Sequence, residues 1–297
     1  MTRLLVTGGG GQLGTDLVAA ARAAGHEVRS FSRTGELAGD VTDAEAVRRA
    51  MAAAAPEVVV HAAAWTAVDD CEADPERALA INGGGTAHVV AAAREVGAHV
   101  AYVSTDYVFD GTKAEPYRED DAPAPTSAYG RSKLAGERAL DPSDATVRIS
   151  WVCGAHGANM VKTILRLAAG DGILRFVDDQ VGHPTFTADL APALLELALA
   201  REPGTWHLTN QGAVSWYEFA REVLAAAGHD PDRVHPIATA ELDPPRPAPR
   251  PANSVLANAR WEATGRAPLD DFRIPLRRLV AELTGGAQAP NASRSAR

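Results

Sequence analysis

The chain has 297 residues, 46% hydrophobic and 23% charged, enough for one large or two modest folded units with a well-buried interior. Twenty-nine lysines and arginines stand against 38 aspartates and glutamates, and this net charge of −9 leaves no cationic footprint for nucleic acid or an anionic membrane. The apolar run at the N-terminus is too short for a leader, no later run could span a bilayer, and Cys71 and Cys153 lack metal-site spacing, so the expectation is a cytoplasmic protein with reduced thiols.

Arg3–Thr7 reads as a short strand running into glycines, and Gln12–Ala24 as an amphipathic helix. Glu27–Phe31 is a second strand, Asp43–Ala54 a helix with Asp43 near its start, and Glu57–His61 a third strand. A long helix is expected over Pro75–Val96, a fourth strand over His99–Ser104, a helix over Ser127–Leu140 and a strand over Thr146–Trp151. Such alternation implies right-handed βαβ units and a parallel sheet covered on both faces. The nearly continuous apolar runs Val58–Val60 and Val100–Val103 suit central parallel strands.

Beyond Trp151 glycine and proline become frequent. Helices over Asn159–Ala169, Thr187–Ala200 and Ser215–Ala227 are separated by longer loops, and the proline-rich run Asp243–Pro251 cannot be helical. The expected fold is α/β, a Rossmann-type doubly wound parallel sheet with a smaller α+β substrate-binding lobe. Residues 1–150 would form the nucleotide-binding unit and 151–284 the lobe, with some exchange of chain between them. A disordered tail would span 285–297.

Gly8, Gly11 and Gly14 fall after the first strand and open a helix, the context in which glycines let a pyrophosphate approach backbone N–H groups at a helix N-terminus. The G-x-x-G-x-x-G spacing points to short-chain dehydrogenases. The second strand ends Ser30-Phe31-Ser32-Arg33, with no acid for the ribose hydroxyls, and Arg33 could meet a 2′-phosphate, which favours NADPH. Read without a ligand, Arg33 is an ordinary surface arginine.

Tyr129 and Lys133, four apart on a helix, lie on one face. Lysine beside the phenol is expected to lower the tyrosine pKa and bring a proton donor toward neutrality. The pair follows Thr105, whose hydroxyl could orient a carbonyl. Chance gives many solvated Y-x-x-x-K pairs, but three elements in this order favour chemistry. Ala62, Ala63 and Ala64 are small where a cofactor would cross, against a background rich in alanine. His61 reads as a packed histidine, and Trp206, Trp216 and Trp261 as packing residues. Trp151, at a strand end, could flank a sugar or base.

In Gly11–Gly14, Ala62–Asp69, Ser104–Gly111, Tyr129–Glu137, Arg148–Val152, Asp179–Thr185 and Arg250–Ser254 the chain resembles the dTDP-4-dehydrorhamnose reductase family of extended short-chain dehydrogenases. That resemblance implies NADPH, with NADH possible, reducing the 4-keto group of a dTDP-linked 4-keto-6-deoxy sugar. It implies Tyr129 as proton donor, Lys133 as its partner and ribose clamp, and Thr105 as third catalytic member. Gly8, Gly11, Gln12 and Leu13 would cover the pyrophosphate, Ser32 and Arg33 the ribose, and Asp40 and Val41 the adenine. Ala62–Ala64 and Thr66 would follow the cofactor. Thr105, Asp106, Trp151 and Arg250 would take the substrate. Some members dimerise through a magnesium site, but only Asp16 falls at an acidic position that aligns, so Mg2+, and the choice of monomer or homodimer, stay open.

Related reductases making other deoxysugars, including the streptose type, share these motifs. Sugar-nucleotide dehydratases generally carry Asp-Glu after the threonine, where this chain has Asp106-Tyr107. A non-catalytic NADP-binding regulatory subunit is a further alternative, and the intact Thr105, Tyr129 and Lys133 weigh against it.

Overall fold

The computed structural model describes residues 1–285; the remainder of the expected tail lies outside the described residues. Six strands from the first half, β1 (Arg3–Thr7), β2 (Glu27–Ser32), β3 (Leu37–Ala38), β4 (Val58–His61), β5 (His99–Thr105) and β6 (Ala145–Ile149), lie side by side in one sheet. Their side chains alternate between two interiors, as a two-residue period requires. Leu4 and Val6 of β1 join one apolar cluster with Leu17 and Val18 of helix α1 (Gln12–Ala23). Leu5 joins the other, with Val47 and Met51 of α2 (Ala44–Ala54). Every residue of β4 is buried.

Asp43 caps α2 by accepting from the backbone of Glu45 and Ala46. At the start of α1 stands Gly11, which has no side chain to do so. Its first amides are left for another acceptor.

The single helix expected over Pro75–Val96 is interrupted. After α3 (Val68–Ala73), α4 (Pro75–Ala78) widens into a π-helical turn over Leu79–Gly84 before α5 (Gly85–Val96). The wide turn carries Asn82, whose amide donates to the Trp65 carbonyl (3.0 Å) and the Ser132 hydroxyl (2.9 Å) while its oxygen accepts from the Trp65 backbone (2.8 Å). Ser132 lies on α6 (Ala128–Glu137), so one buried side chain ties the chain leaving β4 to the helix bearing Tyr129 and Lys133. Such π-turns recur at functional sites.

The second half begins with β7 (Val152–Cys153), α7 (Met160–Ala168), β8 (Leu174–Val177), β9 (Val181–Gly182) and β10 (Thr185–Phe186). Then α8 (Thr187–Ala200) returns to pack beside α1, and β11 (Gly204–His207) pairs in parallel with β6. The complete order is β11-β6-β5-β4-β1-β2-β3, all parallel. The strand order reverses at β1, which opens a crevice at the carboxyl ends where ligands of such sheets bind.

The chain then leaves again through β12 (Val214–Ser215), α9 (Trp216–Ala226), β13 (Val234–Ile237), α10 (Ala259–Ala263) and α11 (Arg273–Leu283). The lobe has its own core, with Ile164, Phe219, Val223, Phe272 and Leu276 fully enclosed. No helix among the described residues is long and apolar enough to cross a membrane.

Candidate active site

A cleft of about 640 Å³ lies over the carboxyl ends of β1, β2 and β4 and collects Gly8, Gly11, Ser32, Arg33, Asp40, Val41 and Ala62–Ala64. Gly8 has φ +71°, and a Cβ there would sit 2.7 Å from the Ala63 nitrogen. A Cβ on Gly14 would strike the Gly8 carbonyl oxygen. These two glycines let the first turn of α1 close against the chain leaving β4. The Ser32 Oγ is buried without a hydrogen-bond partner among the described residues, and Arg33 is exposed and makes no ion pair there. Asp40 accepts from the Thr42 amide and hydroxyl, and those bonds, aided by Arg33 and Arg77, hold its carboxyl below the usual range.

Three expected cofactor residues face elsewhere. The Leu13 side chain points into the core under α1, so only its backbone is at the glycine turn. Gln12 donates to the Val152 carbonyl (3.0 Å) and accepts from Asn159 (2.8 Å), joining the turn to the lobe. Thr66 is exposed, and the wall is made instead by Trp65, with the Arg77 guanidinium 4.5 Å above its ring. Arg77 had no distinguishing mark in the sequence; it is one arginine among many on helices.

Thr105 ends β5, and Tyr129 lies in the first turn of α6. That turn is set by Ser127, which accepts from the Gly130 amide (3.1 Å), and a Cβ on Gly130 would collide with the Tyr107 carbonyl. The Tyr129 hydroxyl lies close to the Thr105 hydroxyl. Burial pushes the Tyr129 pKa up; the nearby Thr105 hydroxyl opposes this, and Asp106, Tyr107 and Cys71 add to it. Here the expectation from the Y-x-x-x-K spacing is corrected. Lys133 shares the helix, but its ammonium donates to the Val103 carbonyl (2.7 Å) and lies 4.1 Å over the Tyr102 ring. A buried ammonium needs an acceptor, and the strand carbonyl is the one it finds. Burial lowers the Lys133 pKa to about 7, against the pull of Glu137. His61 bonds Thr7 and Thr86, and burial drives its pKa to about 3, a neutral packed histidine.

Asp106 is 2% exposed. Its Oδ1 accepts from the Thr105 hydroxyl (2.8 Å), its Oδ2 has no partner among the described residues, and burial lifts its pKa to about 6. Ser254 lies beside it, and a Cβ on Gly182 would stand 2.7 Å from the Ser254 hydroxyl and 2.6 Å from the Trp151 ring. Thus Trp151 reaches the same site. It has φ +44°, a conformation held only where surroundings over-determine it. Trp206 and Trp261 are buried as expected of packing residues, and the half-buried Trp216 packs against the lobe core, also as expected. It stacks on Trp151 with centroids 3.5 Å apart and planes at 7°. Arg250 is no free cation: it grips Asp69 through two bonds (3.0 and 2.8 Å), with Arg246 close by. Asp16 faces His156 at 3.6 Å, and among the described residues no three acidic, histidine or cysteine side chains gather as a metal site.

The family model described as the RmlD substrate binding domain matches residues 1–284. The chain belongs to the RmlD family. A dTDP-4-dehydrorhamnose reductase of Streptomyces griseus is 44% identical over 97% of this chain and 96% of that protein. A solved dTDP-4-dehydrorhamnose reductase of Clostridium acetobutylicum has 40% identity and a TM-score of 0.89, covering 95% of this chain and 99% of the other. The Bacillus anthracis dTDP-4-dehydrorhamnose reductase, solved in complex with NADP, has 34% identity, the same TM-score and the same coverage. The glycine turn, Thr105, Tyr129 and the paired tryptophans all lie within the residues that the family model matches.

Proposed function

We propose that this protein is an NADPH-dependent reductase that converts the 4-keto group of dTDP-4-dehydro-L-rhamnose into the hydroxyl of dTDP-L-rhamnose. The observation that carries the reading is the buried Tyr129 beside Thr105 at the end of β5, next to a cleft suited to a dinucleotide. Trp65 links the two, since it lines the cleft and packs against Tyr129.

The chain fits the cofactor in three ways. The uncapped amides at the start of α1 would receive a pyrophosphate, Ser32 lines the part of the cleft that would take a ribose, and Arg33 would offer its charge to a 2′-phosphate. When bound, NADPH supplies the hydride. The rest is done by side chains. Tyr129, protonated because it is buried, gives its proton to the oxygen as that atom gains charge. Thr105 stands beside the phenol, and Lys133, one turn along α6, rests its ammonium on the Val103 carbonyl. Trp151, backed by Trp216, forms a shelf for the sugar or base. Arg250 orders the Ala248–Ser254 segment against Asp69.

The test is incubation with dTDP-4-dehydro-L-rhamnose and NADPH, with the product identified by NMR. Turnover should be far faster than for the free keto sugar, because remote binding energy positions the reacting carbon. Equal turnover of both would remove nucleotide recognition from the assignment.

A further inference from the structure

Gln12 is the first residue of α1, and its side chain leaves the glycine turn for the lobe. Its Nε2 donates to the Val152 carbonyl (3.0 Å), and its Oε1 accepts from Asn159 Nδ2 (2.8 Å). The same Asn159 nitrogen donates to the Gly154 carbonyl (2.7 Å), while Asn159 Oδ1 accepts from the Lys162 amide (3.2 Å) as the cap of α7. A carbonyl can only accept and a backbone amide can only donate, so neither side-chain amide could be turned over without losing bonds. The loop between Val152 and Asn159 is shaped to lie on this side chain. Gly157 has φ +64°, and a Cβ there would stand 3.3 Å from the Gln12 Cβ. Lys162 Nζ closes the loop by donating to the carbonyls of Ala155 (2.6 Å) and Gly157 (2.8 Å).

We propose that the Gln12–Asn159 pair couples the cofactor cleft to the sugar-nucleotide site, so that each ligand tightens the binding of the other. The proposal rests on the reductase reading and adds two positioning residues to it. The two ends of Gln12 belong to different sites. Its backbone lies in the turn whose first amides have no side-chain cap and would take a pyrophosphate. Its side chain holds Val152, the neighbour of Trp151, which stacks on Trp216 and has a positive φ that persists only where surroundings hold it. The Trp151 carbonyl is held from the lobe by the Thr185 amide (3.2 Å), and the Val152 carbonyl is held by Gln12 from the nucleotide-binding side.

A pyrophosphate on the first turn of α1 would restrain Gln12, and Gln12 would restrain the segment that carries Trp151. The second ligand then meets a segment already ordered and loses less conformational freedom on binding, which is positive coupling without rearrangement. Such coupling is reciprocal, so the factor is the same in both directions.

Isothermal titration calorimetry with dTDP-L-rhamnose and NADPH tests this on the whole protein, since product and reduced cofactor cannot react with each other. In the wild type, saturating NADPH should tighten dTDP-L-rhamnose about tenfold, and saturating dTDP-L-rhamnose should tighten NADPH by the same factor. Asn159→Ser keeps a capping hydroxyl for α7 but loses the reach to Gln12. It should bind dTDP-L-rhamnose alone nearly as the wild type does, with a mutual factor below about twofold. Gln12→Met keeps the length, removes both bonds and should behave alike. The double variant should lose no more coupling than either single one, because the two residues act through one contact. In steady-state turnover, Asn159→Ser should raise KM for dTDP-4-dehydro-L-rhamnose about tenfold with kcat within about twofold of wild type. Loss of folded protein would instead lower kcat and leave KM alone. Failure of dTDP-L-rhamnose to bind at all would strike the reductase reading, and the coupling with it. Binding of both ligands with no mutual effect in the wild type, or with the full effect kept in Asn159→Ser and Gln12→Met, would overturn the proposal alone.

Discussion

Glu137 sits one turn beyond Lys133 and accepts two bonds from Arg148 of β6 (3.0 and 2.7 Å) and a third from Ser104 of β5. Both partners are buried, with side chains 4% and 8% exposed, and one Arg148 nitrogen already lacks an acceptor. In Glu137→Gln the shape and one acceptor survive, but the guanidinium loses its counter-charge inside the protein. Breaking a buried pair on one side costs about 3–5 kcal/mol, and the surviving acceptor places this variant at the low end, about 3 kcal/mol. At about 2–4 °C per kcal/mol, the melting temperature should fall by about 6–12 °C. Urea unfolding at unchanged slope would measure the loss as a lower midpoint. Replacing both partners, as Glu137→Leu with Arg148→Met, should recover most of it, since no unpaired charge remains. A Gln variant within about 1 kcal/mol of wild type would refute the view that this pair anchors α6 to the sheet.

Two other outcomes are expected. Arg33→Ala should lower kcat/KM for NADPH by about tenfold and leave NADH little changed, an exposed phosphate contact being worth about 1–2 kcal/mol; equal losses for both cofactors would count against a 2′-phosphate role. Burial lowers Lys133 from 10.5 to about 7, so its charged form is penalised only in the folded chain. The penalty is fully present below about pH 7 and relieved as pH rises toward 10.5, so melting temperature should climb across that window in the wild type but not in Lys133→Met. Parallel curves would show that Lys133 is not desolvated.

What was legible in the sequence followed from periodicity. Val58–Val60 and Val100–Val103 form nearly continuous apolar runs because both faces of a parallel sheet are covered, and that pattern is local. Asp43, Ser127, Asn159 and Ser215 marked helix starts, and each accepts a backbone amide in that role. The two-residue strands of the lobe and the Gly204–His207 strand carry too few residues for any period to register. Neither Arg77 over Trp65 nor Trp216 on Trp151 could be read, since each pairing joins residues whose meeting is decided by tertiary packing. The direction of the Lys133 ammonium was hidden for the same reason. Spacing fixes the helix face, while the acceptor comes from β5.

The return of α8 and β11 to the main sheet bears on how this molecule can be made and cut. When the ribosome has released β6, that strand presents an open edge, and the apolar side of α1 is bare, until Thr187–His207 emerges. A fragment ending at residue 150 would keep that edge and face exposed, so it should aggregate rather than stand as a nucleotide-binding module. Lobe exchange between relatives therefore needs two junctions on either side of Thr187–His207, and a single crossover near Trp151 would pair one protein's β6 with another's β11.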